Sequence, residues 1–202
     1  MTTRLATDGL RRALAPAQFR REFGVSYVRA LVAPDGWPAG ARNALVRCNA
    51  KAERTFGAAA CRGLRALLSS NERPPCRVAD AGPGVGRGLF AARTLPSGTF
   101  IGEYAGVLSR DWLPVGRGRF NPYLLKYPFA CAYAIDAEKI GNELRFANHS
   151  ARRANARRLF LAHDGLLRAL VVASARIEAG RQILLDYGPD YRFATPPAEL
   201  VP

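Results

Sequence analysis

Histidine is nearly missing from this chain: His149 and His163 are the only two in 202 residues. That scarcity argues against a multi-histidine metal centre, and no Ser-His-Asp or Cys-His constellation stands out as nucleophilic machinery. Cysteine is sparse as well. Cys48, Cys61, Cys76 and Cys131 show no C-x-x-C spacing and no neighbouring histidine, so neither a zinc finger nor a disulfide framework is supported, and the four are expected to be reduced and mostly packed. No apolar run approaches the eighteen residues or so of a membrane span. Met1 to Asp8 lacks the apolar core of a secretory signal, so the chain reads as soluble, with the cytoplasm as its default compartment.

Lysine is equally scarce. Only Lys51, Lys126 and Lys139 are present, so arginine supplies nearly all of the 30 basic charges that oppose 16 acidic ones and leave a net charge of +14. Residues 1–75 carry 13 basic and 5 acidic residues, and residues 76–202 carry 17 and 11, so the excess is spread over the chain. Such a surface favours polyanions through counterion release, which allows non-specific nucleic-acid contact; an Arg-rich face that is merely solvated fits the composition too.

A hydrophobic content of 49% is that of a globular chain, and the length suits one catalytic-sized domain with an accessory region. Phe19, Phe23, Tyr27 and Leu31 lie four apart, predicting a helix over about Ala17 to Ala33, broken by Pro34, Gly36, Pro38 and Gly40. A second helix is predicted from about Ala41 to Leu68, where Leu64, Leu67 and Leu68 share a face and Gly57 and Gly63 are weak points. Asn71 to Pro75 reads as a linker. After Cys76 the texture changes to short apolar runs between glycines and prolines: Thr99 to Ile101, Tyr104 to Leu108, Tyr133 to Ile135, Leu166 to Ala173 and Gln182 to Leu185. These are read as short strands joined by turns. The Pro-rich end, Thr195 to Pro202, reads as an extended tail.

Asp80-Ala-Gly-Pro-Gly84-Val-Gly86-Arg-Gly88 could be the glycine turn of a Rossmann-type methyltransferase. That reading needs an apolar strand before Asp80 and a full helix after Gly88. Instead Pro74-Pro75-Cys76-Arg77 precedes it, while Pro96 and Gly98 would cut the required helix short. The alternative takes Gly86-Arg87-Gly88-Leu-Phe-Ala-Ala92 as the unit, followed by Glu103-Tyr104-Ala-Gly106 and Tyr133-Ala-Ile-Asp-Ala137. Then come Gly141-Asn-Glu-Leu-Arg145-Phe-Ala-Asn148-His149-Ser150 and a run from Ile177 through Gly180 and Ile183 to Asp186-Tyr187-Gly188. Five such pieces in order, from about Cys76 to Gly188, resemble a SET domain.

That resemblance implies an α+β protein: a mostly β SET domain of short curved sheets over residues 76–188, a helical region over 1–75 before it and a short tail over 189–202 after it. The Asn148-His149 segment would thread under the Asp186-Tyr187 segment in a pseudoknot-like crossing. It further implies a protein-lysine N-methyltransferase that takes S-adenosyl-L-methionine on one face and a lysine-bearing protein on the other, a histone, a nucleosome or another basic protein. A non-catalytic SET-like module that binds chromatin or nucleic acid is the other class the motifs allow. Composition and motif together suggest a bacterial chain, for which a host nucleus becomes the compartment if it is an exported effector. Oligomeric state is not legible.

The chemistry suits this residue set independently of the family. A lysine amine with a pKa near ~10.4 must lose its proton to attack, costing roughly 4 to 5 kcal/mol at neutral pH, so an apolar, aromatic-walled channel is needed. Displacement at a sulfonium methyl needs no nucleophilic side chain, and alignment and electrostatics carry it. By resemblance, Tyr187 stands at the methyl-transfer point and Tyr104 at the channel wall where it bonds the amine. Gly86, Arg87 and Gly88 form the main-chain cofactor loop, and Asn148 and His149 contact the cofactor. Tyr191 and Phe193 either cover the adenine or simply pack. Arg145 and Asp136 read as structural charges near the crossing.

Some positions depart from the family pattern. Ala151 stands where a cysteine often follows N-H-S and no cysteine follows Gly188, so no zinc site is expected after the domain. The segment from His149 to Asn155 is one residue longer than usual and lacks its proline, leaving Asn155 outside the assigned site. Gln182, where glutamate is common, reads as a surface or turn change. Leu185 replaces the Phe or Tyr that tunes product state, which implies capacity beyond monomethylation. Arg152, Arg153, Arg157 and Arg158 read either as a docking surface for the substrate or nucleosomal DNA or as a solvated loop.

Overall fold

In the computed structural model of this protein, residues 14–35, 42–70, 72–109, 121–128 and 133–188 are described. Helix α1 runs over Pro16–Phe23 and stops at Gly24, whose left-handed φ of 68° makes the cap. The helix is therefore shorter than its aromatic spacing predicts. Tyr27 falls instead in strand β1, Ser26–Tyr27, yet its ring still packs edge-on against Phe19 at 5.1 Å. The second predicted helix is two, α2 over Arg42–Phe56 and α3 over Ala58–Ser69, separated at Gly57 where φ is 83°.

Strands β2, Cys76–Asp80, and β3, Arg87–Ala91, form an antiparallel hairpin. Its turn holds Gly82, Gly84 and Gly86, all with positive φ. Because this glycine run links two paired strands rather than a strand and a helix, the Rossmann alternative falls away. Next come β4, Phe100–Glu103; β5, Val107–Ser109; β6, Leu124–Lys126; β7, Ala134–Asp136; and β8, Ile140–Gly141. The chain then makes a 3-10 turn over Glu143–Phe146 and continues into β9, Asn148–His149; β10, Ala156–His163; β11, Leu166–Ala173; and β12, Leu184–Leu185. The bounds of β11 coincide with its apolar run, whereas β5 and β12 are shorter than the runs that predict them.

The largest sheet has the order β4-β11-β10-β12-β9, a smaller one has β5-β7-β6, and β1 pairs in parallel with β8. Strand β4 is an edge, and it is covered rather than open: the Asn142 Nδ2 donates to the Glu103 carbonyl at 2.8 Å, and Pro74 and Leu144 crowd Gly102. Among the described residues, no helix is long and apolar enough to cross a membrane.

Three buried clusters hold these layers. In one, Phe19 and Val25 from the N-terminal region join Leu89, Ile101, Phe146, Ile183 and Leu185. In a second, Leu31 and Cys48 meet Tyr127, Ile135 and Leu167. In the third, Ala52, Cys61 and Leu64 of α2 and α3 lie on Leu159, Leu161, Leu170 and Val172 of the β10–β11 pair. An ion pair is buried among them. Arg168 donates to both carboxylate oxygens of Glu103 at 2.5 Å, and the Leu31 N–H donates to the same carboxylate at 3.0 Å. One carboxylate thus ties β11, β4 and the N-terminal segment together.

Candidate active site

Strands β9 and β12 run parallel, with Asn148 opposite Leu184 and His149 opposite Leu185. This pairing brings the N-H-S and D-Y-G segments side by side although 38 positions separate His149 from Tyr187. The Ser150 N–H donates to the Leu185 carbonyl at 2.9 Å, extending the ladder by one residue.

Each candidate residue is fixed by a named partner. The Tyr187 N–H donates to His149 Nδ1 at 3.0 Å, which makes Nδ1 an acceptor and places the proton of the neutral ring on Nε2. The two rings lie 5.2 Å apart at 47°. The Tyr187 hydroxyl donates to the Ala147 carbonyl at 2.5 Å, a short contact that points the phenol into the crossing. Asn148 Nδ2 donates to the Arg87 carbonyl at 3.1 Å, joining the crossing to the glycine loop. Around that loop nothing lies within 4 Å of where a Cβ would stand at Gly82, Gly84 or Gly86, so its backbone is open to a ligand. Gly88 differs: a Cβ there would stand 2.7 Å from Gln182 Nε2, so Gly88 permits close packing inside the molecule.

The Tyr104 hydroxyl donates to the Tyr123 carbonyl at 2.9 Å. Tyr123 is itself held under Arg145, whose guanidinium carbon sits 3.5 Å from the ring centroid. Arg145 Nε donates to the Ala137 carbonyl at 2.7 Å, and burial pulls its pKa below the ordinary arginine value. Arg145 therefore positions the wall that holds Tyr104, in line with a structural charge. Leu185 is buried, and Tyr104 and Tyr187 both pack against the cluster that contains it. Tyr191 and Phe193 lie outside the described residues, as does the tail from residue 189.

Four residues have larger parts here than their sequence context indicates. Asn155 donates through Nδ2 to the Gln182 carbonyl at 2.9 Å and accepts at Oδ1 from the Leu184 N–H at 2.9 Å, so it laces β12 in place. Gln182, read as a surface or turn change, is buried instead, and its Nε2 has no hydrogen-bond partner among the described residues. Arg158 points inward rather than to a docking surface, donating to the Asp186 and Tyr187 carbonyls at 3.1 and 2.9 Å. Burial lowers its pKa, and the nearby Tyr187, Asp186 and Tyr104 raise it, so both candidate tyrosines lie in the field of this cation. Phe23 of α1 packs on Phe146 at 4.9 Å and lies 5.8 Å from the Arg87 guanidinium, linking the N-terminal region to the loop. Its period-four spacing was the only signal for that contact. Arg157 stacks over Phe56 at 4.5 Å while remaining exposed, as Arg152 is, and Arg153 is half-buried.

Among the described residues no group of three or more His, Cys, Asp or Glu side chains could hold a metal ion. The site has instead an open backbone loop, an amide, an imidazole and two held phenols, a set suited to binding and aligning a polar ligand rather than to attacking it.

Comparison with known proteins agrees with this arrangement. A plant histone-lysine N-methyltransferase, EZA1 of Arabidopsis thaliana, is 33% identical over 141 residues, which is 66% of this chain and 16% of that protein. Histone-lysine N-methyltransferase EHMT1 of Homo sapiens is 36% identical over 109 residues, 52% of this chain and 8% of its own. The chain thus spans only a small part of the curated relatives it matches. Among solved structures, ATXR5 in complex with histone H3.1 monomethylated on R26 superposes with a TM-score of 0.61 at 20% identity, covering 92% of this chain and 90% of that one. The autoinhibited ctPRC2 bound to S-adenosylmethionine gives 0.55 at 25% identity, covering 62% of this chain and 16% of that one. The family model for the SET domain matches residues 86–188, about half of the 202, and on that match, with the β9–β12 crossing and a mostly β fold behind a helical N-terminal region, the chain belongs to the SET domain family.

Proposed function

We propose that this protein is an S-adenosyl-L-methionine-dependent protein-lysine N-methyltransferase acting on a histone or another basic protein. The observation that carries the reading is the parallel β9–β12 pairing, which sets Asn148 and His149 against Leu184 and Leu185 and brings the Tyr187 N–H onto His149. The open glycine turn and the Asn148 bond to the Arg87 carbonyl fit the cofactor, which when bound would supply an electrophilic methyl group. His149, with its Nδ1 engaged by the Tyr187 N–H, keeps an Nε2–H donor for the cofactor's polar end.

The residues of this chain would then do three things. Gly86 and Arg87, seated by the close packing at Gly88, present main chain to the cofactor, Asn148 holds that main chain, and Tyr187 orients the meeting point of methyl and amine through its anchored phenol. Tyr104 and Leu185 line the amine's path, where apolar surroundings favour the neutral amine. The Arg158 cation beside both tyrosines adds to this, because a fixed positive charge disfavours an ammonium nearby. Leu185 carries no hydroxyl to tether the amine or a water, which supports products beyond the monomethyl form. Mass spectrometry at full conversion checks that point, and only a monomethyl product refutes it.

Incubating the protein with radiolabelled S-adenosylmethionine and histones, free and as nucleosomes, tests the main reading. Label should pass to lysine with the wild type and be largely lost with Tyr187→Phe. A binding module would take up cofactor or histone without transferring label, and that result would sink the enzyme reading.

A further inference from the structure

A cavity lies apart from the site described above. It is a cleft of about 670 Å³ between the end of α3, residues 72–77 and strand β4. None of Gly86, Arg87, Gly88, Tyr104, Asn148, His149, Leu185 or Tyr187 lines it. Four arginines do: Arg29, Arg73, Arg77 and Arg93. Against them stand two glutamates, Glu72 and Glu103, and Glu103 is already neutralised by its bidentate bond to Arg168. Arg73 is partly engaged, with Glu143 at 3.7 Å and its ring contact on Tyr27 at 5.0 Å. Arg93 is exposed and has no ion-pair partner among the described residues. Among the described residues Arg77 bonds only its neighbour's carbonyl, at 3.3 Å through Nη1, and its buried Nε has no hydrogen-bond partner. Apolar side chains, among them Leu67, Pro75 and Phe100, make up much of the remaining wall, with Ser70, Thr99 and Asn142 between them.

We propose that this cleft docks an acidic, partly apolar peptide segment of a partner protein. A recess with cations on its rim and hydrocarbon inside is complementary to carboxylates alternating with apolar side chains. A rigid duplex would present phosphates alone and leave the apolar wall unused, so nucleic acid fits this cleft less well. A second copy of this chain does not supply the complement either, because each copy carries a net charge of +14. Guanidinium groups suit the role, being weakly hydrated and able to grip a carboxylate with two bonds.

Fluorescence anisotropy on the full chain tests the proposal with three labelled probes of matched charge: a peptide of alternating glutamate and leucine, a glutamate-only peptide and a duplex oligonucleotide. The mixed peptide should bind more tightly than the glutamate-only one, and Arg93→Glu, a change at an exposed side chain, should weaken it by about tenfold or more. Arg77→Gln should weaken it too. Calorimetric binding of S-adenosylmethionine should be unchanged in Arg93→Glu, and it reports separately on the transfer site, so failure of one reading is not failure of the other. No binding of the mixed peptide at low salt, or affinity unaltered by Arg93→Glu, overturns the proposal. Tighter binding of the duplex, lost in the same variant, overturns it in favour of nucleic acid.

Discussion

Replacing Glu103 by Gln tests how the N-terminal segment is fastened to the β core. The side chains of Arg168 and Glu103 are only 7% and 4% exposed, and both guanidinium contacts are 2.5 Å long. Burial alone would lower the Arg168 pKa, yet the Glu103 bond outweighs it and holds the group above its ordinary value. Removing the carboxylate leaves a buried cation without a counter-charge, which costs about 3 to 5 kcal/mol. For a chain of this length each kcal/mol moves the melting temperature by roughly 2 to 4 °C, so the expected fall is about 6 to 20 °C. Differential scanning calorimetry measures it. Glu103→Leu combined with Arg168→Met should recover most of the loss, because the pair's own desolvation cost disappears with both charges. Equal melting temperatures for wild type and Glu103→Gln, or strict additivity in the double variant, would refute the reasoning.

Arg158→Gln removes the two bonds to the Asp186 and Tyr187 carbonyls together with the cation near both tyrosines; in the transfer assay we expect a lower kcat and an acidic limb of the pH profile shifted to higher pH, with Arg158→Lys recovering the limb better than the rate. Gly106→Ala would place a Cβ 2.4 Å from the Asp136 carbonyl oxygen, a backbone clash expected to cost at least about 1 to 3 kcal/mol in urea unfolding. Glu143 is held above its ordinary value of 4.5, chiefly by burial, so the folded state keeps a proton that the unfolded state releases. Its contribution is therefore fully present below pH 4.5 and lost as pH rises through the raised value. Melting curves of Glu143→Gln should accordingly decline less than those of wild type over that rise.

Strand β11 was readable because eight residues in a row, Leu166 to Ala173, are apolar apart from Arg168, and a strand buried on both faces has that texture. Its partner β10 was obscured by Arg157 and Arg158, although Leu159 and Leu161 alternate with less buried neighbours in the period of a strand. Helix α1 was overextended because aromatic spacing continues past Gly24, and only the left-handed cap stops it. At the site, the ordered motifs supplied Tyr104, Asn148, His149 and Tyr187. Asn155 escaped because its role is lacing backbone, which a one-residue change in spacing hides but hydrogen bonds to Gln182 and Leu184 reveal. Arg158 escaped because a charge in a basic run gives no sign of which way it points.

The β9–β12 pairing also sets an order of events during synthesis. Asn148 and His149 emerge early, but the ladder they need is completed only by Leu184 and Leu185, and His149 gains its Nδ1 bond only when Tyr187 is in place. Until then β10 and β11 can pair with each other through a local hairpin of eight registered positions, a fast step compared with closing the crossing. A nascent chain halted before residue 184 would thus hold the β10–β11 pair without the β9–β12 ladder or the His149–Tyr187 bond.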